Sequence, residues 1–188
     1  MSIRTFLALD IDDAILDRMQ HVQEQLAISH GKINWVSREN LHLTLVYLGE
    51  VVDELIPDVC GIMEEVASEI EPFAVEIHGI RCVPDHGQPR MFWAVVQDST
   101  GRLAILQNRL ATALYGLGLR QEERGYKPHI TLARVKYAAD PAWLRRSAEQ
   151  FANEDLGLQH ADEVVAYGSE LARDGPVYTA LARAPVGQ

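Results

Sequence analysis

The tetrapeptide His42-Leu43-Thr44-Leu45 returns near the far end of the chain as His129-Ile130-Thr131-Leu132. In a β-strand residues i and i+2 share a face, so each copy sets an imidazole beside a hydroxyl and turns its two aliphatic residues to the buried side. If the two strands face each other across a cleft, two imidazoles and two hydroxyls surround a space suited to a tetrahedral anion. Imidazole titrates at about pH 6.5, so near neutrality one ring is neutral while its partner is protonated. One ring then removes a proton from an attacking hydroxyl or water, and the other gives a proton to the departing oxygen. The threonine hydroxyls hydrogen-bond the non-bridging oxygens as charge builds there. One such tetrapeptide arises by chance in roughly one chain in forty of this composition, and two in only about one in several thousand. The repeat therefore points to acid/base chemistry at phosphorus. Two histidines alone do not make a zinc site, and no His-Glu-x-x-His or paired cysteines supply a third ligand. No metal and no other cofactor is expected.

Both tetrapeptides must sit on strands, and the surrounding pattern provides them. "TFLALDI" reads as a strand, followed by helical spacing of Ile15, Leu16, Met19, Val22 and Leu26 behind an acidic cap. "INWV" and "HLTLVYLG" read as strands around the turn "SREN", and "VVDELIPDVCGIMEEVASEI" as a helix that Pro57 bends or delays. "FAVEIHGIRCV" and "RMFWAVVQ" form a hairpin about "PDHGQP", and "TGRLAILQNRLATALYGLG" is a helix ending at glycines. "HITLARVKY" is a strand, "PAWLRRSAEQFAN" a helix with proline in its first turn, and "LGLQHADEVVAYGSEL" with "PVYTALARA" supplies closing strands. Short loops between neighbouring strands favour an antiparallel α+β arrangement over a doubly wound parallel sheet. The two tetrapeptides fall in opposite halves, which predicts a bilobed, pseudo-duplicated architecture formed as one domain over residues 1–188.

Composition narrows the partners. The 188 residues carry a formal net charge of -10, which argues against sequence-independent binding to duplex DNA, a task for many lysines and arginines. A small basic pocket for one phosphate or one RNA end is compatible with that charge. Cys60 and Cys82 lie in no metal or redox spacing, which fits a reduced cytoplasmic setting. Asp10, Asp12 and Asp13 interrupt the first apolar run before a signal-peptide core is complete. No apolar run approaches the ~20 residues of a membrane helix. The reading is a soluble cytoplasmic protein with no membrane and no obligate protein partner.

With those residues in view, the chain resembles the two-histidine (2H) phosphoesterases, and among them the bacterial RNA 2',3'-cyclic phosphodiesterases, first described as 2'-5' RNA ligases. The likeness spans nearly the whole chain, through "RTFLALDI", "WVSRENLHLTLVYLGEV", "PRMFWAVV", "YKPHITLARV" and "GPVYTAL". The resemblance implies a bilobed α+β fold with antiparallel sheets flanking a central cleft and helices outside. It also implies metal-independent hydrolysis of an RNA-terminal or nucleoside 2',3'-cyclic phosphate to a 2'-phosphomonoester. Carried over, His42 is the general acid for the leaving 3' oxygen and His129 the general base for water. Thr44 and Thr131 hold phosphate oxygens, and Arg134 adds a fixed positive charge. The reverse step, with an RNA 5'-hydroxyl replacing water, joins ends through a 2'-5' linkage. Two other readings stand beside this one: a non-catalytic RNA-end or nucleotide-binding module, and a phosphodiesterase for another small cyclic phosphate.

Phe92 and Trp93 alternate along one strand, so only one of them faces the cleft. Tyr126, Arg90 and Tyr178 are further candidates for its lining, and Lys127 for RNA backbone or water. His21, His30, His78, His86 and His160 have no partner motif and are read as structural or surface residues.

Overall fold

Alternating apolar residues build the sheet, and 3.6-residue periodicity builds the helices over it. The computed structural model describes residues 1–27, 31–119, 125–173 and 175–188. The strands are β1 (Ser2–Asp10), β2 (Gly31–Trp35), β3 (His42–Val52), β4 (Phe73–Val83), β5 (Met91–Gln97), β6 (His129–Ala138), β7 (Asp155–Ala161), β8 (Glu163–Ala172) and β9 (Gly175–Pro185). The helices are α1 (Asp13–Leu26), α2 (Ile56–Ser68), α3 (Arg102–Tyr115) and α4 (Pro141–Glu149). His30 lies outside the described residues.

The nine strands form one sheet in the order β7-β4-β5-β6-β3-β1-β8-β9, with β2 also paired to β6. Every pairing is antiparallel. Read outward from the centre, β6 and β3 correspond, then β5 and β1, β4 and β8, β7 and β9. This is the expected α+β duplication. Its two halves are joined into a continuous sheet by the single bridge Leu43↔Ile130.

One core backs the centre of the sheet. Leu7, Leu9, Leu43 and Ile130 are at most 1% exposed, and each such burial stabilises the fold by about 1.5–3 kcal/mol. The helices bring Met19 and Leu26 from α1, Val59 and Met63 from α2, Leu106 and Leu110 from α3 and Leu144 from α4 into the same core. Among the described residues no helix is long and apolar enough to cross a membrane.

Two boundaries differ from the sequence pattern. Val51 and Val52 complete β3, and a 3-10 turn at Asp53–Leu55 precedes α2, so Pro57 enters in the first helical turn, where its missing N–H costs nothing. Helix α4 stops at Glu149, short of "QFAN", because that stretch serves β4 instead. The amides of Gly79 and Ile80 donate to the carbonyls of Glu154 and Phe151 at 2.8 and 2.9 Å.

Candidate active site

The bridge at Leu43↔Ile130 sets the geometry. Continuing that antiparallel register by one residue each way places His42 opposite Thr131 and Thr44 opposite His129. The two histidines are then diagonal neighbours, at a backbone separation of about 7–8 Å. Their outer neighbours follow the same pattern, with Asp10↔His42 and Ala8↔Thr44 on one side, Val95↔His129 and Trp93↔Thr131 on the other.

A matched pair of β-bulges shapes what comes next. On β3 the register steps from Ala8↔Thr44 to Leu7↔Val46, and on β6 from Trp93↔Thr131 to Phe92↔Ala133. Each bulge buries two successive residues, Leu45-Val46 and Leu132-Ala133, and returns the following residue to the face of the His-Thr pair. That residue is Tyr47 in one half and Arg134 in the other. Strict alternation would have offered Ala133 to the site; the extra residue offers a guanidinium.

Both imidazoles are held in the same way. His42 Nδ1 lies 2.7 Å from the carbonyl of Asn40, and His129 Nδ1 lies 2.7 Å from the carbonyl of Lys127, two residues upstream in each case. A carbonyl only accepts, so Nδ1 carries the proton in both rings and Nε2, at the far edge, is left for a ligand. Rings flank each imidazole. Trp93 stacks on His129 with centroids 3.8 Å apart, and Phe6 stacks on His42 at 4.8 Å while Tyr178 meets it edge-on at 5.4 Å.

Burial pushes both histidines below their ordinary range, more than the carbonyl hydrogen bonds push them up. The Arg134 charge lowers both as well, so one cation faces the two rings. The halves differ in one respect. Asp10 lies across from His42 and favours its imidazolium, whereas the matching position beside His129 is Val95. Asp10 is itself fixed by the Tyr167 hydroxyl at 2.6 Å and by Arg183 at 3.0 Å.

His42, Thr44, His129, Thr131 and Arg134 are thus brought to one face around the central bridge. Trp93 is the aromatic that faces it, while Phe92 is fully buried against Trp35. The Tyr126 hydroxyl donates to the Thr44 carbonyl at 3.1 Å, tying the approach to one motif to the strand of the other. Arg90 lies beside the site, in a groove that it shares with Arg134. His21, His86 and His160 are exposed and His78 is half-buried on β4. Sequence reasoning missed Phe6, Asp10, Tyr167 and the carbonyls of Asn40 and Lys127. Asp10 had a usable signal, since it closes the strand that pairs with "HLTL".

A sequence profile of the 2'-5' RNA ligase superfamily matches residues 11–163. An RNA 2',3'-cyclic phosphodiesterase of Methanothermobacter thermautotrophicus is 30% identical over 95% of this chain and 96% of its own length. Another of that name, from Archaeoglobus fulgidus, is 32% identical over 95% of this chain and 98% of its own. A crystal structure of a Thermus thermophilus protein superposes with a TM-score of 0.84 at 26% identity, covering 98% of both chains.

Proposed function

Because the chain belongs to the 2'-5' RNA ligase superfamily, we propose that it hydrolyses the 2',3'-cyclic phosphate of an RNA end or nucleoside to a 2'-phosphomonoester. The observation that carries the reading is the pair of imidazoles, each tied through Nδ1 to a carbonyl two residues upstream and each presenting Nε2 to one shared face. Water attacks phosphorus and yields a proton to the Nε2 lone pair of His129. The P–O3' bond breaks, and the protonated Nε2 of His42 delivers its proton to the departing 3' oxygen. The 2' linkage is retained. Thr44 and Thr131 donate to the non-bridging oxygens, and Arg134 offsets the charge that gathers on them.

One electrostatic difference between the halves supports this choice of acid and base. An acid must begin protonated, and the Asp10 carboxylate favours that state at His42. A base must begin neutral, and His129 has no carboxylate opposite it, while the Arg134 charge bears on both rings alike.

The direct test incubates the purified protein in EDTA with an oligoribonucleotide ending in a 2',3'-cyclic phosphate and separates the isomeric products. The 2'-phosphate is expected as the main product. Release of the 3'-phosphate, or binding without turnover, overturns the reading.

The pH profile tests the roles. With both imidazoles depressed, kcat/KM should form a bell whose maximum lies below pH ~6.5, the unperturbed histidine value. The alkaline limb reports loss of the acid's proton, and the acid limb reports protonation of the base. Asp10→Asn removes the carboxylate that raises His42, so the alkaline limb should move to lower pH while the acid limb stays in place. Movement of the acid limb instead would exchange the two roles.

A further inference from the structure

The face that holds Arg134 continues past the histidine pair into a groove of about 700 Å³, lined among others by Gln88, Arg90, Met91, Arg134, Lys136 and Tyr137. That volume falls within the range of about 300–1,000 Å³ typical of small-ligand sites. Three cations converge there in a chain of net charge -10. Among the described residues none of the three forms an ion pair, a state shared with Arg18, Lys32, Arg81 and Lys127, so what sets them apart is that three of them line one groove. Tyr137 is 65% exposed at the same groove, an aromatic ring left open to solvent.

The wall is built rather than loose. The Arg90 amide donates to the Val83 carbonyl at 2.7 Å, and its own carbonyl accepts from Val135 at 2.8 Å, which fixes its backbone between β4 and β6. The loop before it is pinned to α4 through Arg145, which donates to the carbonyls of Pro84 at 3.2 Å and Gly87 at 2.6 Å.

Unpaired cations interleaved with an open aromatic ring are the chemistry that tracks single-stranded nucleic acid, charges on phosphates and a ring under a base. Arg134 belongs both to this groove and to the face where it acts on His42 and His129, so the groove adjoins the histidine site through that one residue. We propose that the groove carries the last one or two nucleotides of an RNA strand on the 5' side of the reacting end. Arg90 and Lys136 meet its phosphates, and Tyr137 stacks on a base. This rests on the hydrolysis proposed above and adds where the strand behind the reacting end is held.

The test measures binding of 2'-phosphate-ended oligoribonucleotides of one to four nucleotides to the wild type and to a double Arg90→Ala, Lys136→Ala variant. Turnover of a cyclic mononucleotide by both proteins runs alongside. In the wild type, affinity should rise with length over the first two or three nucleotides; in the variant it should stay at the mononucleotide value. For a trinucleotide, the slope of log K against log salt should be shallower in the variant by about 1.4, that is ~0.7 for each phosphate that is no longer neutralised. Tyr137→Ala should weaken the trinucleotide by roughly tenfold, the loss of one stacked base. Cyclic mononucleotide turnover should be equal in the wild type and the double variant. A flat length series in the wild type, or a gain with length that survives the double substitution, overturns the proposal. Absence of mononucleotide and oligonucleotide turnover in the wild type instead overturns the hydrolytic reading, and the binding series still decides whether the groove holds RNA.

Discussion

Replacing either His42 or His129 with alanine is expected to lower turnover of a 2',3'-cyclic phosphate by about 10²–10⁴-fold, the usual contribution of a positioned proton donor or acceptor. The double variant should be little worse than the weaker single one, because an acid and a base that act in one step fail as a unit. Stability should change little. Among the described residues neither ring makes a hydrogen bond other than the one from Nδ1 to its carbonyl, and the aliphatic neighbours Leu43 and Ile130 keep the central bridge buried. The measurement is single-turnover hydrolysis beside thermal unfolding for all three variants. Activity within tenfold of wild type in either single variant would sink the assignment. Collapse of the fold in all three would be met with His42→Gln and His129→Gln, which keep side-chain bulk and lose the proton chemistry.

The largest effect on stability should come from a glycine far from the histidines. Gly79 interrupts β4 at φ +80°, and a Cβ there would stand 2.3 Å from the backbone carbonyl oxygen of Ala152. A side chain in that left-handed conformation costs about 1–2 kcal/mol, and overpacking against a rigid neighbour a further 1–3 kcal/mol. Gly79→Ala should therefore destabilise the protein by roughly 2–5 kcal/mol in urea unfolding, with an unchanged m-value. Gly61 makes the control, since it lies within α2 and a Cβ there meets nothing within 4 Å. Gly61→Ala should stabilise by up to about 1 kcal/mol through helix propensity alone. Equal effects at the two sites would mean that the close approach of residue 152 to β4 is not a constraint.

The elements and the site were not equally legible in the sequence. Alternation in "HLTL" and "HITL" was enough to assign His42, Thr44, His129 and Thr131 to one face, because the side-chain period of a strand is local. The bulges were not legible, since an inserted residue shows only against the partner strand; without them Arg134 would be assigned to the wrong face. The carbonyls of Asn40 and Lys127 were invisible for another reason: a backbone acceptor has no residue type, and any amino acid at those positions would supply it. Asp10 and Phe6 required the β1–β3 register, and the early end of α4 depended on β4 amides that claim its downstream carbonyls. Apart from those two local carbonyls, what the sequence could not express was set by contacts between elements distant in the chain.

The duplication has a consequence for isomer choice. A site with a true two-fold axis makes no choice of its own: either ring could act as the acid, and nothing in the protein would decide which of the 2' and 3' oxygens departs. The two halves break that equivalence where their charges differ at matching positions, Asp10 against Val95 and Arg134 against Tyr47. Those differences set a carboxylate beside His42 with no counterpart beside His129, while the Arg134 charge bears on both rings. In the proposed reaction, direction is then a property of the halves' disagreement, carried in part by a carboxylate held to Tyr167 and Arg183.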